Sequence, residues 1–132
     1  MTHVKAHIAH EQYQVKIEAN GNTLIADEPI DEGGLNLGFN PNELLAASLA
    51  ACTSITLRMY ANNKTWDLKE VHVDVDLEWD KTSNQTTINR KIELVGNLDE
   101  QQRTRLLSVA NACPVHKILS NTIQVITNLK NE

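Results

Sequence analysis

Two cysteines are the residues best suited to chemistry in this 132-residue chain. A thiol reacts as its thiolate, so the question for each is what favours the charge. Cys113 has local help. It precedes Pro114 at the expected start of a short helix, where open amides and the helix dipole favour an anion. His116 lies one turn on and could add charge or take a proton. Cys52 has no such help. It sits in the middle of ELLAASLAACTSITLRMYA (residues 43–61), where its one-turn neighbours Ser48, Leu49, Ile55 and Thr56 carry no charge. Burial in that apolar helix raises a thiol's pKa. Arg58 stands six positions on, about 120° round the wheel, and cannot reach the sulfur along its own helix. A reactive Cys52 must therefore be activated from elsewhere in the fold.

Plainer readings stand beside these. A free cysteine is among the most commonly buried residues and packs like a small hydrophobe. Arg58 suits the end of a buried helix with its head in water, and Glu43 suits a helix cap. His3, His7 and His10 are of metal-ligating type, but strand alternation puts His10 on the face opposite His3 and His7. Cys113 and His116 make half of a zinc site without the other half.

The elements that must position the thiols follow from periodicity. HVKAHIA and YQVKIEA alternate, and the Asn-Gly of ANGNT joins the second to a third strand, NTLIAD. A glycine- and proline-bearing loop leads to a helix capped by Asn40, with Pro41 in its first turn and Glu43 closing a capping box. This helix is expected to be buried and to run to about Ala61. EVHVDVDLEW puts Val71, Val73, Val75 and Leu77 on one face and acids with His72 on the other, a half-buried strand that TTINRKIELVG partners. LDEQQRTRLLSVANAC reads as a helix with an acidic first turn, PVHKILSN as a short helix, and TIQVITNL as a closing strand. The order of elements makes the chain α+β, one domain over residues 1–132.

A formal charge of −5, with scattered positive residues, argues against nucleic-acid and anionic-lipid partners. No signal peptide is legible, and the apolar run Leu44–Cys52 is too short to span a bilayer, so a cytoplasmic location is expected. In that compartment two thiols are more often buried, catalytic or redox-active than a permanent staple.

GFNPNELLAASLAACTSITLRMYA followed by ANACPVHKIL resembles the OsmC/Ohr family of osmotically inducible and organic-hydroperoxide-resistance proteins. The resemblance extends over nearly the whole chain. It implies an OsmC-like fold, antiparallel sheets wrapped around long central helices buried in an intertwined homodimer. It further implies a thiol-dependent peroxidase acting on organic hydroperoxides, and less well on hydrogen peroxide. Cys52 would be peroxidatic and Cys113 resolving, passing through a Cys52 sulfenic acid and a Cys52–Cys113 disulfide. An external dithiol would be the reductant, with no metal or organic cofactor. Two family features are replaced here. The family's acid just after the Asn-Pro is Asn42 in this chain, and no arginine precedes Arg58. Arg58 or His116 is the expected substitute cation. The other reading of the same fold is a binding module, its inter-subunit cavity holding a fatty acyl or other small hydrophobic ligand.

Overall fold

The computed structural model describes residues 1–130. Along the chain run β1 (Lys5–His7), β2 (Val15–Ala19), β3 (Asn22–Ala26), a single 3-10 turn (Ile30–Glu32), α1 (Pro41–Lys64), β4 (Asp67–Asp80), β5 (Gln85–Asn97), α2 (Glu100–Ala110) and α3 (Pro114–Leu119). These elements are α+β, as their sequence order predicts. They group into two compact units: Met1–Ala47 with Trp79–Thr86, and Ser48–Glu78 with Thr87 onward.

The first unit holds an antiparallel sheet in the order β1-β2-β3. Ala19 pairs with Asn22 across the predicted Asn-Gly turn. Both turn residues have positive φ, 50° at Asn20 and 80° at Gly21, the primed turn whose twist suits adjacent strands. Beyond β3 the chain bends around one carboxylate. Asp27, only 2% exposed, accepts backbone N–H bonds from Tyr13 (3.2 Å), Glu28 (2.7 Å), Leu35 (3.3 Å) and Leu37 (3.1 Å). Burial pushes this carboxyl up, but the four amides outweigh it and hold the group below the usual carboxylate range. The predicted capping box is formed: Asn40 Oδ1 accepts from the Glu43 amide and Glu43 Oε1 from the Asn40 amide, each at 2.8 Å.

The second unit contains the main core. Leu49, Thr53, Leu57 and Ala61 form a buried stripe at four-residue spacing on α1. Leu57 and Ala61 join Leu68, Leu98, Leu106, Val109 and Ala110, with Tyr60, Trp66, Ile92 and Leu94 against them. β4 and β5 pair as a two-stranded sheet. On β4 the alternation is as read: Val71, Val73, Val75 and Leu77 are half-buried, while His72, Asp74, Asp76 and Glu78 are exposed. α2 begins with a reciprocal Asp99–Gln102 capping box.

Three expectations require correction. α1 continues three residues past Ala61, where Thr65 adopts a φ of 55° and the Trp66 amide reaches back to the Ala61 carbonyl at 2.9 Å. This Schellman ending is usually built on glycine and here falls on threonine, so composition did not reveal it. Second, α1 is buried along one stripe, not all round: Ile55 and Met59 are 54% and 66% exposed. The full helix, unlike Leu44–Cys52 alone, is long and apolar enough to cross a membrane, a test that the core helix of a soluble protein also passes. Third, TIQVITNL forms no strand. A strand needs a neighbour to complete its ladder, and neither sheet supplies one to this segment. Its Ile123, Val125, Ile126 and Leu129 are exposed.

Candidate functional site

The buried stripe of α1 passes beside Cys52, which is half-buried, and places Thr53 inside the second unit. After α2 the chain turns through Asn111 and Ala112, and Pro114 starts α3, leaving Cys113 as its N-cap. Proline's missing N–H costs nothing at that position, and the amides just beyond it point back at sulfur. The Val115 amide lies 3.5 Å from Cys52 Sγ, and the His116 amide 3.4 Å from Cys113 Sγ. One turn of α3 therefore supplies a donor to each thiol. Both cysteines are free, and the Cys52 side chain is among the neighbours that favour the charged form of Cys113. The two sulfurs that sequence alone leaves 61 positions apart form one site.

A cation completes it. Arg90 of β5 reaches Thr53 Oγ1 (3.0 Å), the Ala110 carbonyl (3.3 Å) and Cys113 Sγ (4.0 Å) through Nη1. Its Nη2 donates to Asn111 Oδ1 at 2.9 Å and faces His116 Nδ1 at 3.2 Å. Arginine has only donors, so Nδ1 must offer its lone pair, and a neutral His116 carries its proton on Nε2. The guanidinium is thereby held from three helices, α1, α2 and α3, and the connection between the last two. Thr53 is itself fixed, donating its hydroxyl to the Leu49 carbonyl at 2.7 Å.

These contacts set the charge preference of Cys113. Complete burial pushes its thiol up, yet the His116 amide, the Cys52 thiol, the Thr53 hydroxyl and the Arg90 charge outweigh that penalty. The net result is a thiol below its ordinary value. A fixed cation, an amide and a neighbouring thiol around a sulfur suit nucleophilic and redox chemistry.

Cys52, Cys113 and His116 are thus brought together. Arg58 and Asn42 have other surroundings. Arg58 donates to the Leu68 carbonyl (2.6 Å) and the Lys69 carbonyl (3.1 Å), tying α1 to the start of β4. Asn42 is exposed in the first turn of α1. His3 and His10 lie outside the strands, and among the described residues no three histidine, cysteine, aspartate or glutamate side chains cluster closely enough to hold a metal ion.

Arg90, Thr53 and Asn111 escaped the sequence reading. Arg90 did leave a signal. In TTINRKIELVG it occupies the same alternate positions as Ile88, Ile92 and Leu94, all half-buried, while Asn89, Lys91 and Glu93 are exposed. A charge on the apolar face of a strand must have buried partners.

A family model described as OsmC-like protein matches residues 33–128. Among solved structures, an organic hydroperoxide resistance protein OsmC, a predicted redox protein from Legionella pneumophila, is 26% identical. That match covers 90% of this chain and 88% of the other, with a TM-score of 0.65. An OsmC-like protein from Mycoplasma pneumoniae is 20% identical over 91% of this chain and 87% of its own, with a TM-score of 0.78. The organic hydroperoxide resistance protein OhrB of Bacillus subtilis is 22% identical over 89% of each chain, with a TM-score of 0.61. No curated protein matches by sequence.

Proposed function

The chain belongs to the OsmC-like family, and from that premise we propose that it is a cysteine-based peroxidase that reduces organic hydroperoxides. The observation that carries this reading is the convergence of both thiols on the first turn of α3, with the Val115 amide 3.5 Å from Cys52 Sγ, the His116 amide 3.4 Å from Cys113 Sγ and the Arg90 guanidinium 4.0 Å from Cys113 Sγ. A redox cycle run by two thiols needs both near one another and a group that stabilises negative sulfur, and the shared α3 turn and Arg90 support that reading.

In the proposed cycle Cys52, the more accessible sulfur, attacks the distal oxygen of the hydroperoxide. The O–O bond breaks, the alkoxide leaves and takes a proton to become an alcohol, and Cys52 is left as a sulfenic acid. Cys113 then attacks that sulfur. The S–O bond breaks, hydroxide is released and protonated to water, and a Cys52–Cys113 disulfide remains. An external dithiol returns the pair to thiols by exchange. The organic group of the substrate is matched by the apolar character of α1.

The active form is proposed to be a homodimer. Ile55 and Met59 on α1, and Ile123, Val125, Ile126 and Leu129 after α3, are large apolar side chains left in solvent by a single chain. A second copy would cover them and supply a strand neighbour to residues 122–129. Light scattering on the purified protein should give twice the chain mass.

The activity test is direct. Purified protein with a dithiol should consume tert-butyl or cumene hydroperoxide, and Cys52→Ser should abolish it. Equal rates in wild type and Cys52→Ser would sink the peroxidase reading. An open recess of about 510 Å³, lined by Ser54, Ile55, Arg58, Met59, Lys69, Glu70 and Val71, favours the alternative of a binding module for a small hydrophobic ligand. Native mass spectrometry of protein taken from cells separates the two: a co-purifying small molecule supports that reading, and a bare chain with peroxidase activity ends it.

A further inference from the structure

Two cations of the second unit converge on one aromatic ring. Arg105 of α2 donates from Nε to the Tyr60 hydroxyl at 2.8 Å, and its guanidinium carbon lies 5.5 Å from the Tyr60 ring centroid. Lys64, in the last turn of α1, places its Nζ 5.7 Å from the same centroid. Among the described residues the ion pairs are Lys16–Glu18 and Glu70–His72, and neither Lys64 nor Arg105 has an acid within ion-pair distance. The chain as a whole has a formal charge of −5, so two unpaired cations on one ring are a local reversal of sign. We propose that Tyr60, Lys64 and Arg105 form a binding site for a phosphate group, free or at the end of a small organic ligand.

The ring is a fixed platform. Tyr60 and Trp66 pack against the main core, and their ring centroids lie 5.5 Å apart, edge to face at 69°. At the observed distances the ring quadrupole attracts both cations, which holds them near one another without a carboxylate between them. The Tyr60 oxygen accepts from Arg105, so its own hydrogen is left to donate outward. Nε is the Arg105 nitrogen that this bond occupies. The N–H groups of Nη1 and Nη2, and the ammonium of Lys64, have no protein acceptor among the described residues. The dipole at the C-terminal end of α1 favours Lys64 there without using those donors. Three kinds of donor are thus positioned by two helices and left open.

Their number and charge select the ligand. A carboxylate has a single charge and two coplanar oxygens, which a guanidinium fork satisfies alone. A phosphate monoester carries close to two negative charges at neutral pH and offers three acceptor oxygens. Those oxygens match the Arg105 fork, the Tyr60 hydroxyl and the Lys64 ammonium together, and two cations balance two charges. Arg105 is the anchor, because its orientation is already set by the bond to Tyr60, whereas Lys64 adds charge from a flexible stem. The inference stands apart from the peroxidase reading: the hydrogen bonds to the two sulfurs come from Arg90, Val115 and His116, none of which belongs to this site.

Proton–nitrogen NMR of the wild-type protein, titrated with inorganic phosphate at about pH 7.5 where the dianion dominates, reads the site without substitution. Sodium chloride holds the ionic strength constant, so screening does not change along the titration. The Arg105 Nε–H signal and the amides of Tyr60, Lys64 and Trp66 are expected to move together and saturate. Acetate in a parallel titration should bind at least about tenfold more weakly, since it lacks the second charge and the third oxygen. Glycerol 3-phosphate separates the two sources: tighter binding than inorganic phosphate assigns an organic phosphate, and equal binding assigns the free ion. Arg105→Gln should weaken phosphate binding by about tenfold or more, and Tyr60→Phe, which keeps the ring, by about threefold. Shifts that never saturate, that centre on other residues, or that persist unchanged in Arg105→Gln overturn the site. Acetate binding as tightly as phosphate overturns the ligand class.

Discussion

Asp27 and Cys113 are both buried acceptors, and they are treated differently. Asp27 is 2% exposed and Cys113 is fully buried. Asp27 has four backbone amides and no cation among its hydrogen-bond partners, drawn from residues 13 to 37. Cys113 has one amide, a guanidinium at 4.0 Å and a second thiol. Both groups are held below their ordinary pKa by donors that outweigh burial. A carboxylate saturated by rigid amides has its lone pairs occupied and organises a loop. A sulfur held by fewer and longer contacts keeps a lone pair for reaction. The number and stiffness of donors, more than burial, separate a structural anion from a reactive one.

The largest effect expected at either centre is loss of the second thiol chemistry altogether. Cys52→Ser should reduce hydroperoxide consumption to the uncatalysed background, whereas Cys113→Ser should leave a sulfenic acid on Cys52 that dimedone traps and mass spectrometry detects. Trapping at neither position would break the chemical half of the comparison.

Next comes Arg90→Gln. Thiolate at neutral pH should fall by up to about tenfold for each unit by which the Cys113 midpoint rises. Steady-state turnover in wild type should climb with pH through the lowered Cys113 value and level off below the ordinary thiol value of about 8.5. An Arg90→Gln profile that coincides with wild type would place the activating charge elsewhere.

Asp27→Asn tests the other centre. An amide cannot accept from all four backbone donors, so thermal unfolding should shift down by several degrees. The Cys113 midpoint should not move, because the Asp27 hydrogen bonds stay within residues 13–37. The pH dependence has a definite sign. The folded carboxyl titrates below its unfolded value, so its contribution is present above an ordinary carboxylate pKa of about 3.9 and is lost as pH falls through the lower folded value. Asn40→Ala should be smallest, costing about 1 kcal/mol in chemical denaturation by removing the α1 cap. A larger loss there than at Asp27 would reverse the ranking of the two structural devices.

Local rules made much of the fold legible. The Asn-Gly turn, the Asn40–Glu43 box, the alternating β4 and the proline that opens α3 each depend on neighbours within a few residues. The site was half legible: Cys52, Cys113 and His116 were singled out by type, but their contact was not implied by spacing. Arg90 was hidden because a strand of mixed polarity tolerates an arginine on either face, and only its register with Ile88 and Ile92 marked it as inward. Residues 122–129 were misread for a related reason. Their β-branched alternation records a preference for being paired, and neither sheet pairs with this segment.

The sequence by itself determined where helices start, which strand faces are apolar, and that Cys113 caps a short helix. Those features follow from backbone geometry and side-chain type over one or two turns. Tertiary structure alone decided that Arg90 lies across Thr53, Asn111, His116 and Cys113, and that a thiol with no help in its own helix receives an amide from α3. Such placement is long-range. Electrostatic stabilisation acts through space over a few ångströms, and only the folded chain determines which residues come that close.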